Sequence, residues 1–185
     1  GIRKALGVAV LLAGLLGVSG WRQHQHLFKN VKKLARQCDR IANKKGPGYQ
    51  QRLKKPYGRL LGEAEKILDR AADLEQQARR GRASEERSAL VEKLAHYCGL
   101  TERVCDTARR RVLEGEQVPN AEKVFSIFEP ETQLFKRGKA GEPVQFGHLV
   151  FVVEDSVGFV CQYRVLAKGE QERDIVVPEM RALQK

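Results

Sequence analysis

Aromatic residues make up only 6% of the 185 residues, with one tryptophan and one methionine, Met180. Single strands of nucleic acid are held largely by stacking bases on aromatic rings, so a stacking platform is not indicated. The four cysteines, Cys38, Cys98, Cys105 and Cys161, include no CxxC pair. Cys98 and Cys105 fall on one predicted helix about two turns apart, beyond the reach of one metal ion or a disulfide. All four are expected to be small buried hydrophobes in a reducing cytoplasm. No apolar run reaches the roughly 20 residues of a membrane-spanning helix. The basic stretch around Lys136, Arg137 and Lys139 lacks the GxxxxGK[ST] order of a phosphate loop and has no helix after it. His24 and His26 point to opposite sides of a helix, and His96 and His148 have no evident partner. With Gly1 first and methionine only at 180, the chain reads as an internal piece of a longer protein.

What is present is enough for one sizeable core, since 42% of the residues are hydrophobic and 31% charged. Residues 5–17 form an apolar run preceded by Arg3 and Lys4 and followed by Val18, Ser19 and Gly20, an imitation of a signal peptide. A buried core helix explains the same pattern and is the reading adopted; a secretory or membrane-anchoring segment is the alternative.

Three amphipathic helices follow. Over 21–42, Leu27, Phe28, Val31, Leu34, Cys38 and Ile41 recur at helical spacing, and Lys29, Lys32, Lys33, Arg36 and Arg40 occupy the rest of the circumference. Gly46, Pro47 and Gly48 break that helix. Leu53, Tyr57, Leu60, Ala64, Ile67, Ala71, Leu74 and Ala78 then form a heptad-like seam, with Pro56 either in its first turn or at a kink. Ser84, Glu85 and Glu86 start a helix to about Leu113. Its seam of Leu90, Leu94, Tyr97, Thr101, Val104, Ala108 and Val112 predicts antiparallel packing on its predecessor.

Strand chemistry is confined to 122–165. Val124, Ser126 and Phe128 alternate with Phe125 and Ile127, giving a strand that Pro130 stops. Residues 150–153 and 159–165 read as a hairpin around Gly158. Glu154 and Asp155 end its first strand, a place where metal-binding carboxylates occur, but turn chemistry is the favoured role for Asp155. A short helix over 173–184 closes the chain. The fold class is therefore α+β: an antiparallel helical region of three to four helices over 1–121, then β-hairpin strands over 122–185.

Charge divides at nearly the same point. Residues 1–111 hold 25 Lys+Arg against 11 Asp+Glu, a net +14, and residues 112–185 hold 9 against 12, a net −3. A solvated helix face is one account of such cations; a surface facing duplex phosphates is the other. The candidate DNA-binding residues are Lys29, Lys32, Lys33, Arg36 and Arg40 on the first basic helix, and Lys136, Arg137 and Lys139 in the glycine-bearing loop before the hairpin. No nucleophile–base pair or metal-ligand cluster stands out.

The run KVFSIFEPETQLFKRGKAGEPVQFGH, followed by VFVVED and GF, resembles the middle of DDE transposases of bacterial insertion sequences, in the group labelled ISNCY. The likeness extends upstream through VLEGEQVP at 112–119 and more loosely through GWRQ at 20–23. Glu131 departs from the pattern, since a histidine is expected there, at a position that is not catalytic in the family. The resemblance implies an RNase H-like catalytic domain in which three acidic residues hold two divalent ions, usually Mg²⁺, for cleavage and transfer of DNA strands. It implies that residues 21–113 are an insertion between sheet strands and that 122–166 supply the next strands of that sheet. It places all three acidic residues outside this chain, so that catalytic and metal-binding residues within it are none. The implied partner is duplex DNA at the transposon ends, with the parent protein a cytoplasmic homodimer.

Two other classes stay open on the residues alone. One is a stand-alone basic helical nucleic-acid-binding module without catalysis; the other, an interaction protein tethered to a membrane through residues 5–16.

Overall fold

The computed structural model describes residues 1–21, 24–44, 46–81, 84–136, 141 and 143–183. The chain is α+β and mostly helical, and divides into two compact units, Gly1–Val118 and Pro119–Lys185. The sequence pattern suggests a division slightly later, at 121/122.

The first unit is built on α1 (Ile2–Leu16), α2 (His24–Lys44), α3 (Tyr49–Arg80) and α4 (Glu85–Arg109). In α1, Ala5, Leu6, Val8, Ala9, Leu12 and Ala13 are buried, an i, i+3/i+4, i+7 pattern that makes one apolar face. Gly17 ends the helix in the left-handed region at φ 66°. There the Val18 amide donates to Ala13 O at 2.9 Å and the Gly17 amide to Gly14 O at 3.2 Å, satisfying carbonyls the helix leaves open. The run that imitates a signal peptide is thus a core helix, packed on both α3 and α4.

Gly46, Pro47 and Gly48 turn α2 back onto α3, and Gly48 adopts φ 66°. Pro56 lies in the second turn of α3, past the first-turn positions where a missing N–H costs nothing, yet α3 continues to Arg80. Its ring is buried, which offsets the lost hydrogen bond. Ser84 caps α4, its Oγ accepting from the Arg87 amide at 3.2 Å, and Glu85 and Glu86 in the first turn complement the helix dipole. α3 and α4 run antiparallel, and Arg109 on α4 pairs with Glu65 on α3. The expected α4 seam is corrected in phase: Val91, Leu94, Cys98 and Thr101 are buried, Leu90 and Tyr97 only partly, and Val104 is exposed. The largest fully buried side chains are Leu6, Leu12, Ile67, Leu74 and Leu94, so α1, α3 and α4 share one core. Trp21 joins its edge, with the Arg70 guanidinium 4.9 Å above its ring and Arg70 Nη2 donating to Gly20 O at 2.9 Å. Past Arg109 the helix widens into a π turn, Arg110–Glu114, which Gly115 ends at φ 82°.

The second unit has two separate antiparallel hairpins. Strands β1 (Gln133–Lys136) and β2 (Val144–Gly147) pair with Leu134 opposite Phe146, and β3 (Val150–Glu154) and β4 (Val160–Val165) with Val152 opposite Tyr163. Helix α5 (Glu172–Leu183) covers one face of the second hairpin, burying Ile175 against Phe151 and Leu166. Arg164 fixes that helix through Glu179 at 2.7 Å and is also paired with Glu170 at 2.6 Å. The strand expected over 124–128 is not formed. Ser126 Oγ accepts from the amides of Phe128 and Glu129 at 3.2 and 3.1 Å, a local turn that competes with any ladder. The first hairpin, by contrast, has no counterpart among the expected strands.

Candidate nucleic-acid interface

On α2 the buried positions are Val31 and Cys38, with Leu27, Leu34 and Ile41 half-buried beside them. At 3.6 residues per turn, Lys29, Lys32, Lys33, Arg36 and Arg40 fall within an arc of about 100° on the opposite side. All five are exposed. Among the described residues none of them forms an ion pair, and Arg40 Nε donates to its own helix at Arg36 O, 3.4 Å away. The one acid of α2, Asp39, accepts from Asn43 Nδ2 at 3.1 Å at the edge of the stripe. The apolar face of α2 lies mainly on α3, whereas the spacing predicts packing against a hairpin of α3 with α4.

Lys136 is exposed at the end of β1 in the second unit, and Arg137 and Lys139 lie outside the described residues. The α2 stripe and the basic loop therefore belong to different units. Two cations absent from the sequence-based candidates, Lys44 and Arg52, line a cleft with Arg40 where α2 turns into α3. The signal for Lys44 was available, since it continues the stripe at i+4 from Arg40; Arg52 is brought beside them only by the turn.

A larger cleft of about 810 Å³ lies between α2, α3 and the π turn, and Cys38, Leu53, Tyr57 and Arg111 are among its walls. Burial pushes the Cys38 thiol and the Tyr57 hydroxyl above their ordinary pKa values, so both are protonated at neutral pH. Neither is poised as a nucleophile. Asp155 serves the β3–β4 turn, its Oδ1 accepting from the amides of Val157 and Phe159, both at 2.9 Å. His148 has a partner after all, Glu129, with Nε2 3.5 Å from Oε2. Cys38 and Cys98 are buried as expected, but Cys105 is half-buried and Cys161 is exposed, because β4 is uncovered on both faces at that position.

Among the described residues no group of three or more His, Cys, Asp and Glu is placed to hold a metal ion. No described helix is long and apolar enough to cross a membrane. No protein-family model, curated protein or solved structure matches the chain.

Proposed function

We propose that the chain is part of a DDE-type DNA transposase and that its helical unit offers a surface to the phosphate backbone of duplex DNA. One observation carries the DNA-facing reading: Lys29, Lys32, Lys33, Arg36 and Arg40 form a single exposed stripe opposite the face that α2 buries. Cations grouped in this way neutralise phosphates and release counterions, whatever the base sequence. The transposase reading is supported by the resemblance, which covers most of the chain and is strongest from about 111 to 165. In it, β3 and β4 are strands of a larger RNase H-like sheet, and the Mg²⁺-holding carboxylates belong to other parts of a cytoplasmic, homodimeric parent. No cleavage step is assigned to residues of this chain, and the chain alone is expected to show no Mg²⁺-dependent strand cleavage.

The test is the affinity of the full chain for a duplex of arbitrary sequence, measured against salt concentration. Replacing Lys29, Lys32 and Arg36 by glutamine keeps helix propensity nearly constant. It should lower the slope of log affinity against log salt by about 2.7, at roughly 0.9 for each phosphate no longer neutralised. An unchanged slope would leave the stripe as a solvated face and sink the DNA-facing reading.

A further inference from the structure

The smaller cleft, at the closed end of the α2–α3 hairpin, has a volume of about 390 Å³ and is lined by Gln37, Arg40, Ile41, Lys44 and Arg52. Three of these five residues are cations and none is an acid. Further along α3 and at the π turn, several cations sit beside carboxylates: Lys66 with Glu63 at 2.9 Å, Arg79 with Glu75 at 2.8 Å, Arg110 with Glu116 at 2.5 Å. Among the described residues the three cations of the cleft, like the stripe it adjoins, have no such partner.

The local fold sets the gathering up. Arg40 and Lys44 are one turn apart on α2, and the Gly46, Pro47, Gly48 turn carries Arg52, in the first turn of α3, back beside them. Arg52 is tethered by Nη1 donating to Pro47 O at 2.9 Å, and Arg40 by Nε donating to Arg36 O at 3.4 Å. A guanidinium has five N–H donors, so each tether leaves others for a ligand while restricting the side chain's freedom. Asp39, the nearest acid in sequence, lines the larger cleft on another side of α2. Like charges held together without a counter-charge raise the energy of the folded state, and a bound anion relieves it.

We infer that this cleft seats a phosphate group through Arg40, Lys44 and Arg52. Resting on the reading of the helical unit as a DNA-facing surface, the occupant is a phosphodiester of the duplex. The guanidinium forks match pairs of phosphate oxygens, and Lys44 adds a point charge. Gln37 supplies a neutral amide, and half-buried Ile41 is the one apolar side chain of the lining. Because Arg40 belongs to both cleft and stripe, one strand following α2 from Lys29 to Lys44 would be held over about 22 Å of helix axis.

The test compares three variants of the full chain with the wild type on the same duplex. Lys44→Gln with Arg52→Gln should lower the salt slope by about 1.8, and the Lys29, Lys32, Arg36 glutamine variant by about 2.7. Arg52→Lys, which keeps the charge but not the fork, should preserve the slope while weakening binding several-fold. A steep wild-type slope that falls in the stripe variant yet stays unchanged in Lys44→Gln/Arg52→Gln overturns the cleft and leaves the DNA-facing reading standing. If the wild type shows no salt-dependent duplex binding, that reading fails, and inorganic phosphate decides the cleft alone. A saturable shift of the Arg52 Nε–Hε resonance on adding phosphate, abolished in Lys44→Gln, supports a seat for free phosphate or a small phosphoester. No shift overturns the seat altogether.

Discussion

Arg110 grips Glu116 with two hydrogen bonds, Nε to Oε2 at 2.8 Å and Nη2 to Oε1 at 2.5 Å, while the Glu116 amide donates to Arg110 O at 2.9 Å. The two residues brace the π turn at both ends, where widened hydrogen-bond spacing leaves the backbone less well held.

The hydrogen bond from Arg110 holds the Glu116 carboxyl below the usual carboxylate range. A depressed folded pKa means that the contribution is complete above the unfolded value of about 4.3 and is lost as pH falls through the folded one. Carbon-13 titration of the Glu116 carboxyl should show a midpoint below that of an ordinary glutamate. Arg110→Gln should restore the ordinary midpoint; identical midpoints in the two proteins would refute the brace.

Leu12 is 0% exposed and its neighbour Leu11 is 62% exposed. Leu12→Ala should therefore cost about 2–5 kcal/mol through lost burial and a cavity. Leu11→Ala should change stability by less than about 0.5 kcal/mol. Urea unfolding of both variants measures the difference. An anchor segment would feel the two changes alike.

Asp155→Ala removes the acceptor of two backbone amides in the β3–β4 turn and should destabilise the second unit by about 1–2 kcal/mol. Asp155→Asn keeps an acceptor oxygen and should cost less than about 0.5 kcal/mol. Amide exchange across β3 and β4 reads both. In the proposed parent transposase, Asp155→Asn should leave transposition near wild type, and its complete loss with intact folding would make Asp155 catalytic.

Thiol labelling should rank the cysteines by exposure. Cys161, exposed on β4, should react fastest with a disulfide reagent at neutral pH. Cys38 and Cys98 should stay slow until the chain is unfolded, since burial, then Glu102 and Glu75, push Cys98 up to about 11. Fast labelling of Cys98 in the native protein would contradict the packing of α4.

The helices were legible because their apolar spacing is long and regular, and because Gly17, Gly46, Pro47, Gly48 and Ser84 act locally as stops and caps. The phase of α4 was not. Leu90 and Val91 are adjacent and equally apolar, and only packing against α1 and α3 selects Val91. The alternation of 124–128 suggests a strand, but Ser126 serves its own backbone there. The β1–β2 hairpin escaped because each strand has four residues, too few for a pattern to stand out. The α2 stripe was legible from spacing alone; the cleft beside it was not, since Arg52 reaches it only once the chain has turned.

The position of α1 has a consequence during synthesis. Its apolar face waits for α4, which begins 69 residues after Leu16. At about 5–20 residues per second the ribosome takes roughly 3–14 s to deliver that partner. For that interval only α2 and α3 are available to cover a charge-flanked apolar helix close in character to a secretion signal, and the part of its face that packs on α4 stays open.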